Sequence, residues 1–509
     1  MKRTSDFIKI IIFIMALIIF ASVNFAVVNY SIESFDQVIY TMRTAVGAAS
    51  REILIKCAIH CVIIPVAIGI VFVCLLKKFK NISNYIDYLI KIKIGNKNYE
   101  LKVNNLPKYR KTIMLLTILF LFISVGYAFS SLGIIHYLKN NVETSNFFEE
   151  NYVNPEKVEF TFPEEKRNLI YIYLESMEST FTSVENGGAY TTNYIPNLTK
   201  LAKDNINFSE NKLIGGGYVT NGTSWTMGAM IAQTAGVPLK IFYSVNTKES
   251  YENGLVIGAY SLGEILDKEG YNQYIMVGSE LTFGGRRVYF TEHGNYKAFD
   301  YFTAIEDGII SEDYYVFWGM EDEKLYNYAK AKLLEISEDE EPFNFTLLTV
   351  DTHSPDGYLS EICEEPFANK YLNSVYCADK QIYSFINWIQ EQDFYENTTI
   401  IITGDHLSMN NNAFDSIDEN YPRRTLNIYI NPAQDTDCIK NREFTTYDYF
   451  PTTLGAMGVK IEGEKLGLGT NLFSCEKTLS EIYTNETVQN EISKKSEYYE
   501  ECIMYNNCY

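Results

Sequence analysis

Long apolar runs dominate the first part of the chain, and shorter ones recur through the remainder. Residues 7–28, 53–76 and 113–135 each form a run of roughly 20 mainly apolar residues, the length that a ~30 Å hydrocarbon layer requires. Because two further runs follow the first, we interpret the first as a membrane span rather than a cleaved signal peptide. The sequence therefore predicts a helical membrane anchor with about three spans over residues 1–138.

After a polar linker over residues 139–165, apolar runs alternate with helical segments. Short apolar and β-branched runs, typical of buried strands, occur at residues 168–174, 274–277, 343–350, 398–403 and 426–430. Helical patterns occur between them at residues 196–204, 262–269, 321–336 and 377–392. This alternation predicts an α/β domain with a largely parallel central sheet over residues 166–475. We expect the charged residues 476–509 to form a helical extension on its outside.

Composition and charge narrow the classes of partner. Apolar residues make up 47% of the chain and aromatic residues 15%, which excludes a disordered protein. A formal net charge of -21 excludes a general nucleic-acid partner. Basic residues concentrate before the first apolar run, at Lys2 and Arg3, and in the solvated link between the second and third, within residues 77–111. The positive-inside rule assigns both segments to the cytoplasm, so the loop at residues 31–51 and the α/β domain face outward.

Cysteine usage agrees with that orientation. Six cysteines lie in the outward part, an even number that favours disulfides in an oxidising compartment. Two pairs are close in sequence and a third pair would remain: Cys363 with Cys377, Cys502 with Cys508, and Cys438 with Cys475. The sequence alone does not fix this connectivity, and no CxxC spacing favours a zinc cluster instead.

Residues 215–230 join a glycine-rich segment to a run of small and apolar residues that predicts a helix. Thr226 lies near the changeover. Amides at the start of a helix favour an anion, and a hydroxyl held there can act as a nucleophile. We interpret Gly215, Gly216 and Gly217 as a loop that lets a phosphoryl group approach the chain.

Polar residues directly follow three of the predicted strands. Glu175 follows the first strand, Asp351 and His353 follow the third, and Asp405-His406 follows the fourth. Open α/β sheets bind ligands at such strand ends, and this mixture of oxygen and nitrogen donors suits a divalent cation such as Mn²⁺ or Zn²⁺. A cation beside Thr226 would activate its hydroxyl and neutralise charge on a transferring phosphoryl or sulfuryl group. The sequence thus predicts a metal-dependent transfer centre.

A cationic turn, Phe283-Gly284-Gly285-Arg286-Arg287, adds guanidinium groups that suit bidentate phosphate binding, and His293 follows it closely. Together the outward motifs resemble the lipoteichoic acid synthase and phosphoglycerol transferase group, within the alkaline phosphatase and sulfatase superfamily. The resemblance covers residues 165–475 and is nearest to the branch that decorates periplasmic glucans. Its motifs occur in the family's order: Leu174-Glu175-Ser176, Gly222-Thr223-Ser224-Trp225-Thr226, Asp351-Thr352-His353, Gly404-Asp405-His406 and Leu466-Gly467-Leu468-Gly469.

The resemblance implies one divalent metal, Mn²⁺ before Mg²⁺ or Zn²⁺, bound by Glu175, Thr226, Asp405 and His406, with Thr226 as the nucleophile. No Cys-x-Pro-x-Arg motif is present, so the modified cysteine of true sulfatases is missing and sulfate ester hydrolysis is not expected.

The resemblance also implies substrate contacts. His353 would contact the transferred head group, Arg286 would help to hold it, and Phe283 occupies a position where family members place an aromatic residue. Relatives often carry a tryptophan beside that aromatic residue, where this chain has Gly284.

The implied function is that of a phosphoglycerol transferase in the bacterial inner (plasma) membrane, with its catalytic domain on the periplasmic or extracellular side. It would move phosphoglycerol from phosphatidylglycerol to a periplasmic or cell-surface glycan through a covalent Thr226 intermediate. Three alternatives are a phosphoethanolamine transferase acting on lipid A or a glycan, a phosphodiesterase that releases head groups to water, and a non-catalytic scaffold. The presence of all four predicted metal ligands argues against the scaffold.

Overall fold

The computed structural model describes residues 2–30, 34–39, 51–83, 88–94, 97–103, 106–240 and 254–508. Their contacts form two compact units, one mainly from residues up to Leu138 and one mainly from Lys139 onward. The boundaries set from the sequence at residues 138, 165 and 475 stay predictions.

Within the described residues of the first unit, three helices are long and apolar enough to cross a membrane. Their apolar stretches are Ile8–Val28, Ile55–Leu75 and Thr112–Ser131. The helices run over Lys2–Tyr30, over Arg51–Ala58 and Ile64–Ser83 joined by the π-helical turn Ile59–Ile63, and over Leu106–Ser131, with a short helix Ile134–Asn140 after them. The predicted anchor of about three apolar helices is confirmed in length and composition.

The link between the second and third helices contains an antiparallel hairpin, Tyr88–Ile94 paired with Lys97–Val103. Our interpretation of this link as a loop was wrong, because part of its backbone forms two paired strands. The period-two alternation of apolar residues and lysine over residues 88–94 is the pattern of a strand. The side chains of the link lie outside the described residues, as does most of the predicted outward loop at residues 31–51.

A seven-stranded sheet forms the centre of the second unit. We number its strands β1 (Asn168–Leu174), β2 (Gly216–Gly217), β3 (Asn272–Val277), β4 (Lys297–Phe299), β5 (Phe343–Leu348), β6 (Thr398–Gly404) and β7 (Thr425–Ile430). Their order across the sheet is β2-β7-β6-β1-β5-β3-β4. All neighbouring pairs from β6 to β4 are parallel, whereas β7 and β2 are antiparallel to their neighbours, so the predicted largely parallel sheet is confirmed. Short pairs form outside it, Phe160–Thr161 with Lys460–Ile461 and Lys465–Leu466 with Gly469–Thr470.

Strand β1 is apolar and buried from Leu169 onward because both of its faces are covered. Leu169, Tyr171 and Tyr173 belong to one hydrophobic core, and Ile170, Ile172 and Leu174 to another. Among the described residues, seven α-helices contribute to the first core: Phe147–Asn151, Thr226–Ala235, Leu262–Lys268, Arg286–Glu292, Tyr449–Ala456, Leu479–Tyr483 and Asn485–Ser493. Four α-helices of the described chain contribute to the second: Pro196–Asp204, Tyr301–Glu306, Asp322–Ile336 and Lys370–Gln390.

The C-terminal helices pack on the sheet-containing unit through a few apolar side chains. Val488 and Ile492, and Tyr499 and Ile503, are buried in the same core as the odd-numbered residues of β1. Each pair is four residues apart, so both members lie on one face of a helical turn, although Glu491 lies within the first pair and Glu500 and Glu501 within the second. The three disulfides pair as sequence proximity suggested, Cys363–Cys377, Cys438–Cys475 and Cys502–Cys508.

Candidate active site

The pairing of β1 with β6 sets the position of two carboxylates. In this parallel pair, Leu174 lies opposite Gly404, so Glu175 and Asp405 leave the same edge of the sheet side by side. The Asp405 amide donates to the Leu174 carbonyl at 3.2 Å, and the Ser176 amide donates to Asp405 Oδ1 at 2.8 Å. The register of this strand pair therefore brings Glu175 and Asp405, which are far apart in the sequence, next to each other.

His406 completes a buried group with these carboxylates. Ligand atoms of Glu175, Asp405 and His406 all lie within 4.8 Å of one another. His406 Nε2 lies 3.5 Å from Glu175 Oε1 and 3.4 Å from Asp405 Oδ2. His406 Nδ1 lies 2.8 Å from the carbonyl oxygen of Leu407, which can only accept, so Nδ1 carries a proton and in the neutral ring Nε2 presents its lone pair to the carboxylates.

The charges of this group fit a cation. Asp405 Oδ2 is buried and accepts no hydrogen bond within the described part of the chain. Burial and then the Glu175 charge raise the pKa of Asp405 to about 7. Burial lowers the pKa of His406, but the Asp405 and Glu175 carboxylates outweigh burial and raise it overall. Because buried charges are costly unless they are paired or bind metal, two carboxylates and one imidazole make a candidate site for a divalent cation.

Thr226 borders this site. It is the first residue of the helix Thr226–Ala235, and its Oγ1 lies 3.5 Å from His406 Nε2. The Thr226 side chain is partly exposed, whereas those of Glu175, Asp405 and His406 are buried. The amides at the helix start and the positive end of the helix dipole favour a phosphoryl group at this position. An accessible hydroxyl thus lies beside the candidate cation site.

Gln233, which the sequence analysis missed, joins the Thr226 helix to the strand end. Its Nε2 donates to the carbonyl oxygens of Gly404 and Asp405, each at 3.2 Å. Its Oε1 accepts from Tyr171 Oη at 2.9 Å and from Thr403 Oγ1 at 2.8 Å. Gln233 is fully buried. The sequence indicates its role only through its position, since it is a polar residue on an apolar helix face seven positions after Thr226.

The glycine run before Thr226 has a different role from the predicted one. Gly216 and Gly217 form β2, where a Cβ on Gly216 would lie 1.7 Å from the Thr425 carbonyl oxygen. The interpretation of this run as a loop for phosphoryl approach was wrong, because these glycines let the sheet edge pack closely. Gly228, two residues after Thr226, allows the start of this helix to approach the preceding turn. A Cβ on Gly228 would lie 2.4 Å from the carbonyl oxygen of Gly222.

Asp351 and His293, which the sequence analysis singled out, lie outside the buried group. Asp351 pairs with Asp322, each carboxylate accepting the backbone amide of the other residue, at 3.2 and 3.1 Å. Burial and the partner's charge raise the pKa of Asp351 well above its usual value. His293 is buried between Glu264 Oε2, at 2.9 Å, and the Leu255 carbonyl, at 2.8 Å, so it stabilises the fold rather than the site.

The three predicted substrate contacts lie together around a residue that the sequence analysis also missed. The ring of Trp318 lies 4.9 Å from that of His353 and 5.7 Å from that of Phe283. Arg286 donates to the Phe283 and Glu280 carbonyl oxygens at 3.0 and 2.8 Å. Burial lowers the pKa of His353 to about 4, with smaller effects from neighbouring charges that include His406 and Asp405.

The family model described as Sulfatase matches residues 167–459, more than half of the chain. The chain belongs to the sulfatase family. Among curated relatives, this sulfatase-family chain is 31% identical over 347 residues to phosphoglycerol transferase I of Escherichia coli strain 55989 / EAEC. That match covers 66% of this chain but only 42% of the relative.

Solved structures agree on the fold of this family member. The lipoteichoic acid synthase LtaP from Listeria monocytogenes superposes with a TM-score of 0.50 at 19% identity, covering 65% of this chain and 82% of that one. The integral membrane protein lipooligosaccharide phosphoethanolamine transferase A (EptA) from Neisseria meningitidis superposes with a TM-score of 0.51 at 13% identity, covering 91% and 87%. The superfamily resemblance predicted from the sequence is confirmed.

Proposed function

We propose that this chain is a membrane-anchored, metal-dependent phosphoglycerol transferase that moves phosphoglycerol from phosphatidylglycerol to a periplasmic or cell-surface glycan. The observation that carries the proposal is the partly exposed Thr226 hydroxyl, at a helix start 3.5 Å from Nε2 of the buried His406. The likeness to phosphoglycerol transferase I supports the choice of phosphoglycerol as the transferred group.

Glu175, Asp405 and His406, with Thr226, would hold one divalent cation, Mn²⁺ before Mg²⁺ or Zn²⁺. When bound, the cation supplies Lewis-acid chemistry, which favours the alkoxide of Thr226 and neutralises phosphoryl charge. Gln233 and the Leu174–Gly404 register hold the helix and the strand ends in place. The positive end of the Thr226 helix faces the developing charge.

The reaction has two displacements at phosphorus. In the first, Thr226 Oγ1 bonds to phosphorus, the bond from phosphorus to the diacylglycerol oxygen breaks, and the hydroxyl proton ends on the released diacylglycerol. In the second, an acceptor hydroxyl bonds to phosphorus, the bond to Thr226 breaks, and the acceptor proton returns to Oγ1. We assign His353 as the base in the second displacement. Its Nδ1 donates to the Ser354 carbonyl at 2.7 Å, so the neutral ring presents a lone pair at Nε2.

The proposed location is the bacterial inner membrane, with several spans and the catalytic unit on the outer side. Three apolar helices, the basic link between the second and third, and three disulfides in the second unit support this orientation. The anchor would keep the active site close to its lipid donor and so raise the effective concentration of the head group. We propose residues 166–475 as the catalytic domain and 476–509 as its helical extension.

The full chain in vesicles that contain glycerol-labelled phosphatidylglycerol, supplied with Mn²⁺ and a glucan acceptor, tests the proposal. We expect label in the acceptor, and phosphoglycerol on Thr226 by mass spectrometry when the acceptor is omitted. Thr226→Ala should reduce transfer more than about 1,000-fold, as loss of a nucleophile does. The matched control Ser224→Ala, two residues earlier and also partly exposed, should retain activity.

Transfer at an unchanged rate in Thr226→Ala would contradict the covalent mechanism. Phosphoethanolamine on Thr226, from vesicles that contain both lipids, would favour the alternative transferase. Release of labelled head group to water at the same rate with and without acceptor would favour the phosphodiesterase.

A further inference from the structure

A tight turn carries Trp318 to the end of strand β3. The backbones of Val316 and Gly319 exchange hydrogen bonds of 2.8 and 2.9 Å, and the Met320 amide donates to the Gly278 carbonyl at 2.9 Å. Phe317 has a φ of 56°, a left-handed conformation that is costly for a residue with a side chain and concentrates at functional sites. The fold therefore holds Trp318 at an energetic cost.

Two glycines allow this turn to approach the strand end. A Cβ on Gly319 would lie 2.4 Å from the Gly278 carbonyl oxygen, and a Cβ on Gly278 would lie 2.5 Å from the Met320 carbonyl oxygen. Gly319 also has a φ of 149°, which side chains rarely adopt. The close fit leaves the turn little freedom to move relative to β3.

The same strand end anchors Arg286. One guanidinium nitrogen donates to Ser279 Oγ at 3.0 Å and to the Glu280 carbonyl at 2.8 Å. Ser279 forms a backbone bridge with Gly319, the residue after Trp318. One short segment after β3 therefore positions both the indole and the guanidinium.

Phe283, Trp318 and His353 form what we call the aromatic wall, and all three side chains are partly exposed. The ring contacts given above join them in that order, with Trp318 in the middle. The Arg286 guanidinium lies 5.8 Å from the centroid of the Phe283 ring. The wall thus combines apolar ring surface, an imidazole and a fixed positive charge.

Building on the phosphoglycerol transferase function above, we propose that Trp318 is a specificity-determining residue that selects a phosphate-linked, uncharged polyol head group over an ammonium-bearing one. The C–H groups of a polyol pack on ring faces such as those of Trp318 and Phe283. Aromatic faces also attract ammonium groups, but Arg286 already lies over Phe283. An ammonium group would therefore meet a fixed like charge at the wall.

Competition between phosphatidylglycerol and phosphatidylethanolamine in mixed vesicles, with the full chain, tests this role. We expect Trp318→Ala to raise KM for phosphatidylglycerol about 10-fold and to reduce the kcat/KM ratio of the two lipids about 10-fold. Trp318→Phe should restore most of the ratio because it keeps a ring face. The control Trp388→Ala, which removes an indole packed on Phe385 at 6.1 Å in the helix Lys370–Gln390, should leave the ratio unchanged. An unchanged ratio in Trp318→Ala would overturn the proposal.

A binding measurement separates failure of this inference from failure of the proposed function. Glycerol 1-phosphate and O-phosphoethanolamine are titrated calorimetrically into the full chain, whether or not it transfers a head group from lipid. We expect the wild type to bind glycerol 1-phosphate about 10-fold more tightly and Trp318→Ala to remove the difference. Equal affinities in the wild type, or a preference that survives in Trp318→Ala, would overturn the role of Trp318 while the transfer assay decides the function by itself.

Discussion

Oγ1 of Thr226 lies 3.5 Å from Nε2 of His406, the nitrogen that also faces the carboxylates of Glu175 and Asp405. The proton on His406 Nδ1 is held by the Leu407 carbonyl, so in the neutral ring the lone pair at Nε2 points into the group. A hydroxyl and a buried set of metal-ligand atoms therefore share one centre.

Substitution Asp405→Asn should reduce the affinity for Mn²⁺ by more than about 100-fold, because it removes a ligand rather than a group that orients one. The Asn oxygen can still accept the Ser176 and His406 amides, which keeps the strand end intact. Metal content after dialysis, measured by mass spectrometry, checks the prediction. The control Asp351→Asn changes another buried carboxylate at a strand end and should leave the metal content unchanged. A full equivalent of metal in Asp405→Asn would contradict the proposed ligand set.

Replacing Gln233 by leucine should lower the free energy of unfolding by about 2 kcal/mol, because buried hydrogen-bond partners lose their amide. Head-group transfer should fall further than stability explains, since the Thr226 helix loses its connection to the Gly404 and Asp405 carbonyls. Denaturation of the full chain and transfer assays below the unfolding range measure the two effects. The control Gln390→Leu removes an exposed amide at the end of the helix Lys370–Gln390, and it should change neither quantity appreciably. Normal transfer in Gln233→Leu would mean that Gln233 does not position the helix.

The buried ion pair between Glu178 and Arg423 should contribute strongly to the free energy of unfolding. The Glu178 carboxylate is buried, binds the Arg423 guanidinium, and accepts the Ser408 amide at 2.7 Å. Arg423→Met would leave that carboxylate buried without its cation, and we expect a loss of about 3 kcal/mol in the free energy of unfolding. The exposed pair Lys380–Glu364 offers a matched control, and Lys380→Met should cost less than about 1 kcal/mol. Equal losses in the two variants would refute the assigned role of the buried pair.

The pH dependence of transfer should report a histidine with a lowered pKa. Burial disfavours the cation of His353 and lowers its pKa to about 4. A base must be deprotonated, so its active form persists as the pH falls from about 8 to about 5 and is lost only as the pH approaches 4. With metal kept saturating, kcat should show this acid limb, and His353→Gln should be slow and lack it. A wild-type limb centred near the ordinary histidine value of 6.5, and absent from His353→Gln, would show that burial does not control this group.

Most regular elements were predictable from the sequence. The helix over residues 196–204 has the predicted limits, and the strand predicted at residues 398–403 ends one residue later, at Gly404. Such elements follow from the spacing of apolar residues, which is a local property of the chain. The candidate site residues at the ends of the strands could also be predicted, because they are polar residues that directly follow buried apolar runs. The sequence therefore identified Glu175, Asp405 and His406 as candidate metal ligands.

The sequence by itself determined the apolar helices, the alternating strands and helices, and the candidate donors at the strand ends. Tertiary structure decided which of those donors meet. Strand register joined Glu175 to Asp405, whereas Asp351 pairs with Asp322 instead. Tertiary structure also places Gly216 in the edge strand of the sheet. It places Trp318 beside His353, one of the residues predicted to bind substrate. These outcomes depend on contacts between residues far apart in the chain, whose free energy exists only once the sheet and its helices have packed.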